Sequence, residues 1–220
     1  MAKKLDRDSI GNTLTVAIGL SLVCSILVAS AAVALKPIQQ RNAELFRQRI
    51  ILEVAGLMTE GGDVGALFAA VDSTSVETGD GESHEVYLVT DNGVVKEIIL
   101  PIEGPGLWST MRGYLALEPD GNTVAGIRFY EHGETPGLGD QIDNDAWRSQ
   151  WAGKELYGND GLPRIEVVKG FVVAGSPSAQ HQVDGLSGAT LTGNGVTKLV
   201  RYWVGPEGFG PYLEQFGGKP

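Results

Sequence analysis

The sequence predicts an α+β protein, with a single N-terminal transmembrane helix followed by one soluble domain that has a mainly antiparallel sheet and flanking helices. Three observations predict it. Residues 9–35 carry no charge. Residues 86–131 hold short apolar strands separated by turn residues. Val196, Leu199, Val200 and Trp203 recur at helical spacing near the end of the chain.

The chain has 220 residues, of which 42% are hydrophobic and 20% charged, enough apolar content to build a core and too much for disorder. Its net charge of −10 argues against a nucleic-acid partner, because no concentrated basic patch interrupts it. The one cysteine, Cys24, excludes an internal disulfide and a four-thiolate iron–sulfur site within this chain.

Residues 13–35 would span roughly 34 Å as a helix at about 1.5 Å per residue, which crosses a bilayer and makes membrane lipid a partner. The small residues Ala29, Ser30 and Ala31 also suit a signal-peptide cleavage site, but the apolar run is too long for a signal core, so a retained anchor is expected. Lys3, Lys4 and Arg7 precede the span, while Lys36, Arg41, Arg47 and Arg49 follow it, so the charge rule does not choose a side. Cys24 reads as a small apolar filler against a neighbouring helix. The expected organisation is a tail at 1–12, the anchor at 13–35, a helical connection and loop at 36–85, and the soluble domain at 86–220.

Within that connection, residues 40–57 read as a helix leading out of the membrane, and residues 72–83, rich in Ser, Thr, Gly and acids, as a mobile surface loop. Residues 86–90 and 94–100 form a hairpin around Asn92-Gly93, and residues 113–117 and 123–131 a second around Pro119-Asp120-Gly121. A further apolar stretch at 165–168 runs on to Val173. Helices are expected at 144–151, capped by Asn144, and at 195–204.

Three glycine-bearing segments carry the candidate chemistry. The run Asp184-Gly185-Leu186-Ser187-Gly188-Ala189-Thr190-Leu191-Thr192 lies ahead of the last helix, where backbone N–H groups and the positive helix end suit an anion. Composition alone favours a plainer reading, in which Thr190, Thr192 or Asn194 caps that helix. Gly133-Glu134-Thr135-Pro136-Gly137-Leu138-Gly139 is a tight loop, or a place where backbone approaches a flat ligand. Gly104-Pro105-Gly106-Leu107-Trp108 adds an aromatic that packs beside a ring system or into the core. The histidines at 84, 132 and 181 lack metal-ligand spacing, and neither a catalytic triad, a P-loop nor a dinucleotide fingerprint occurs, so catalytic and metal residues are expected to be absent.

The run DGLSGATLT at 184–192 resembles the flavinylation signature of FMN-binding-domain subunits that bear phosphoester-linked FMN. With ILPIEGPGLWS at 99–109, GETPGLG at 133–139 and GFGPYL at 208–213, nearly the whole chain resembles the C subunit of the sodium-translocating NADH:quinone reductase. The G subunit of the Rnf complex shares ETPGLG and SGAT, and the other two segments favour the reductase. The resemblance implies FMN joined to Thr190 by a flavin transferase, with Ser187, Gly188, Ala189, Leu191, Thr192 and Asp184 around the attachment point. It places Glu134, Thr135, Gly137 and Leu138 against the ring, with Trp108 beside it. It further implies a bacterial inner-membrane subunit, N-terminus cytoplasmic and flavin domain periplasmic. Such a subunit is not catalytic alone: it relays single electrons from a membrane iron–sulfur centre to FMN on a neighbouring subunit, in a complex that oxidises NADH, reduces ubiquinone and pumps Na+. A cofactor-free, membrane-tethered assembly module is the alternative. The loop at 72–83 is short beside the family pattern.

Overall fold

The computed structural model describes residues 9–59 and 61–218. Lys3, Lys4, Arg7 and the first eight residues of the expected tail lie outside them. Two units are distinct, one up to Phe46 and one from Arg47 onward. The first consists of the long helix α1 (Ile10–Val54), whose C-terminal end belongs to the second. Among the described residues α1 is the one helix long and apolar enough to cross a membrane, and none of its apolar window is buried. The helix expected at 40–57 is present as the continuation of α1, which runs through Pro37 to Val54.

After the short helix α2 (Val64–Phe68), the second unit is built on a five-stranded antiparallel meander: β1 (Val71–Glu77), β2 (Ser83–Asp91), β3 (Val94–Pro105), β4 (Thr110–Leu117) and β5 (Val124–Glu131), in spatial order β1-β2-β3-β4-β5. Both expected hairpins are present. Asn92 and Gly93 take φ of +52° and +77°, the paired left-handed conformations that a tight two-residue hairpin needs. Of the 104–108 segment, Gly104 and Pro105 end β3 opposite Met111 and Thr110, and residues 106–109 form the turn to β4, closed by Gly106 N–H donating to Ser109 O at 2.8 Å.

Period-two alternation sends the sheet's side chains to two cores. Ile98, Leu100 and Ile102 of β3 face Leu115, Leu117 and Ile127 on one side and pack beneath α4 (Thr190–Trp203). Ile99, Tyr114 and Ala116 face the other side, against Ile50, Ile51, Leu52 and Ala55. Burial on both faces is why Ile98-Ile99-Leu100 reads as a continuous apolar run.

Three expectations need correction. The mobile loop at 72–83 is edge strand β1 plus a turn, pinned by Gly79 N–H to Gly208 O (3.0 Å) and Asp80 N–H to Glu207 O (2.9 Å). Asp80 itself accepts from the Thr78 hydroxyl, the Glu82 N–H and the Tyr202 hydroxyl, which together hold its carboxyl down at about 2. The apolar stretch from 165 to 173 contributes only β6 (Glu166–Val167), paired in parallel with β7 (Gln182–Val183). The chain turns away at Gly170, and Phe171 and Val173 stand exposed with no ladder partner. Finally, α4 begins five residues before the expected 195. Gly193 and Gly195 weaken it by about 1 kcal/mol each relative to alanine. Close packing offsets this, since a Cβ on Gly193 would come within 3.0 Å of Val167 Cγ1. The helix expected at 144–151 appears as α3 (Asp145–Arg148) and a 3₁₀ turn, with Asn144 capping the Ala146 N–H at 2.9 Å.

Glu97 on β3 is half-buried beside a cleft of about 370 Å3 that it shares with Glu53, Asp145 and Arg148. Burial first, and the charge of Glu118 second, push its carboxyl up to about 7. The folded state therefore binds the proton more tightly than the unfolded chain, so this group's contribution to stability falls as pH rises from the ordinary carboxylate range to about 7. The Glu97→Gln variant should gain melting temperature over wild type at pH 8 and lose that advantage near pH 4.5. An equal difference at both pH values would show that folding does not raise the affinity of Glu97 for its proton.

Candidate flavin site

Thr190 is the first residue of α4, with Ala189 at the cap position. No side-chain oxygen caps the first turn, so the helix-cap reading of Thr190, Thr192 and Asn194 does not hold. Thr190 and Leu191 are exposed, as are Ser187 and Gly188, while Leu186 and Ala189 pack into the core. Gly188 takes φ +72°, and any Cβ there would meet Leu138 Cδ2 at 2.9 Å. The glycine thus turns the chain into the helix while letting Leu138 of the 133–139 loop lie against it.

Asp184 is engaged structurally. Its Oδ1 accepts from Val172 N–H at 2.7 Å, and its carbonyl accepts from Trp147 Nε1 at 2.8 Å. These bonds stitch the start of the run to the 168–172 loop and to α3.

The two other glycine segments meet at this helix end. Trp108, 71% exposed and therefore not a core residue, donates Nε1–H to Thr135 Oγ1 at 3.1 Å. Glu134 is buried, and its carboxylate accepts from Leu107 N–H at 2.7 Å and from the Thr192 hydroxyl at 2.5 Å. Leu138, Leu191, Leu107 and Trp108 are all exposed large apolar side chains. Leu138 also lines a cleft of about 420 Å3, with Gly137, Trp147, Gly185, Leu186 and Ser187, within the size range of ligand pockets.

These features fit a flavin phosphate. A reachable hydroxyl stands on an uncapped helix end whose N–H groups and positive dipole suit a phosphate. Exposed apolar surface and a cleft lie alongside for a ring system. Among the described residues no group of His, Cys, Asp and Glu is arranged to hold a metal ion. His132 Nε2 meets Asp143 Oδ2 at 2.8 Å, and His181 Nδ1 meets Glu155 O at 2.8 Å.

Residues 106–205, from the β3–β4 turn through α4, match the model of the FMN-binding domain, so fold and site define a flavin-binding domain that follows an apolar helix. The chain is 43% identical to the C subunit of the Na(+)-translocating NADH-quinone reductase of Vibrio parahaemolyticus, over 94% of this chain and 95% of that protein. It is 40% identical to the corresponding C subunit of Neisseria meningitidis, covering 98% and 97% respectively. The crystal structure of Shewanella oneidensis NqrC superposes with a TM-score of 0.70 at 33% identity, over 77% of this chain and 95% of that one. The chain belongs to the C-subunit family of the Na+-translocating NADH-quinone reductase, as ILPIEGPGLWS and GFGPYL led us to expect.

Proposed function

We propose that this chain carries FMN bound by a phosphoester to Thr190 Oγ1 and acts as a one-electron relay within a Na+-translocating NADH:quinone reductase. The observation that carries the reading is an exposed threonine as the first residue of an uncapped 14-residue helix, with three glycine-rich segments gathered at that end. FMN, when bound, supplies one-electron redox chemistry, and the protein supplies its binding and orientation.

The chain's own residues divide that work. Thr190 offers the hydroxyl, Ser187, Gly188 and Ala189 leave a flavin transferase room to reach it, and the first-turn N–H groups face the phosphate. Leu138, Leu191, Gly137 and Trp108 give apolar surface for the ring and keep water from it, with Thr135 holding Trp108 in place. Thr192 competes poorly as acceptor, because it is 1% exposed and its hydroxyl is committed to Glu134.

In the assembled complex we place α1 across the bacterial inner membrane, N-terminus cytoplasmic and flavin domain periplasmic. Electrons arrive from an iron–sulfur centre of the membrane subunits and leave to FMN on a neighbouring subunit, in a complex that oxidises NADH and reduces ubiquinone as it moves Na+.

Co-expression with a flavin transferase, trypsin digestion and fragmentation mass spectrometry test the attachment, since one peptide, 170–198, contains Ser187, Thr190 and Thr192 together. The expected result is the flavin phosphate on Thr190. Release of all flavin on denaturation, or a label on any other residue, overturns the reading.

A further inference from the structure

We propose that Glu134 and Thr192 act as one positioning pair that fixes the rotation of α4 about its axis and so aims the Thr190 hydroxyl outward. This rests on the reading of Thr190 as acceptor and deepens it.

The two side chains are 58 residues apart in sequence and among the few buried polar groups, at 4% and 1% exposure. The carboxylate uses both oxygens: Oε2 accepts from Thr192 Oγ1 at 2.5 Å, and Oε1 accepts from Leu107 N–H at 2.7 Å. One carboxylate therefore ties the β3–β4 turn, the 133–139 loop and the first turn of α4 together.

Room has been cleared for it on both sides. A Cβ on Gly106 would lie 2.5 Å from Glu134 Oε1, and a Cβ on Gly139 would lie 2.7 Å from Thr192 Oγ1 and 2.9 Å from Glu134 Oε2. At Gly139 the hydrogen-bonded pair occupies the space that a larger residue would fill, and at Gly106 it does so together with Ser109 O, 2.7 Å from such a Cβ, and Met111 Cγ, 2.8 Å from it.

Helix geometry turns this anchor into an aim. Two residues along an α-helix lie roughly 200° apart around the axis at about 3.6 residues per turn, so locking Thr192 inward points Thr190 outward. An uncapped first turn is prone to fray, and a bond from its third residue to a buried charged acceptor holds it in helical form. The carboxylate also sits beside the positive end of the helix, where its charge is favoured.

The test uses the full chain, in detergent, with a flavin transferase and FAD, and measures the initial rate of flavin incorporation. Thr192→Val and Glu134→Gln should each slow it on the order of tenfold, the worth of one hydrogen bond to a charged group. The double variant should be no slower than either single one, and Thr192→Ser should restore the rate. In the flavin-free chain, hydrogen exchange should quicken at Leu107 and at residues 193–196, whose N–H groups donate to the carbonyls of the first turn, in both single variants, with β3, β4 and β5 unchanged. Effects that multiply in the double variant would overturn the pair, showing that each residue is read separately. Exchange quickened across the whole sheet would overturn it too, by making the contact a general prop of the fold. An unlabelled wild type would sink the Thr190 reading and the pair with it, whereas a labelled wild type with multiplying effects sinks the pair alone.

Discussion

Thr190→Val is expected to abolish covalent flavin, while Thr190→Ser keeps most of it. Valine preserves the branched shape of threonine and removes only the hydroxyl, so the variant separates chemistry from packing. Thr190 is exposed at the helix start and its side chain has no capping role, so the change should alter stability by no more than about 0.5 kcal/mol. Serine retains the oxygen but not the branch that restricts its rotamer, which predicts slower labelling to a similar endpoint. Flavin fluorescence of the denatured chain on a gel, read beside a thermal melt, checks both. A fluorescent Val variant would move the acceptor to another exposed hydroxyl, with Ser187 the nearest in sequence. Lost fluorescence with a melting temperature many degrees lower would instead mean that Thr190 supports the helix.

What the sequence made legible follows from how local each signal is. The meander pairs every strand with its neighbour in the chain, so Asn92-Gly93 and Asp120-Gly121 announce two of its hairpins without knowledge of the rest. Strand β1 hides because only Val71 and Val76 of its seven residues are buried, and its turn is pinned by Glu207 and Gly208, far along the chain. The start of α4 hides behind Gly193 and Gly195, which read as loop until Val167 is known to press on the first of them. At 165–173 the opposite error arises: an apolar run looks like a strand, but Gly170 takes φ +89° and the residues beyond it find no partner. The site divides in the same way. Thr190 is legible because its run of nine residues is contiguous, whereas the Glu134–Thr192 bond joins segments that only the fold brings together.

Phe209→Ala is expected to cost about 3–5 kcal/mol of folding stability, the range for deleting a fully buried aromatic ring. Phe209 is completely buried and stacks on Trp203 with ring centroids 5.3 Å apart and planes at 28°, while His84 meets it edge-on at 5.9 Å. Trp203 is the last residue of α4 and donates Nε1–H to Glu103 O on β3 at 2.6 Å, so the ring stack fastens the far end of the helix that begins at Thr190. The backbone adds a second tie, since Phe209 N–H donates to Trp203 O at 2.6 Å, and alanine keeps that bond. The loss is therefore one of packing, and a domain of this size should melt on the order of 6–20 °C lower. Thermal unfolding of the full chain in detergent, followed by near-ultraviolet circular dichroism, measures the shift. Flavin labelling should survive well below the new midpoint and fail above it, because the acceptor is presented only by the folded helix. A shift of less than about 2 °C would fall below that range and mean that Trp203 and His84 close the space left by the ring.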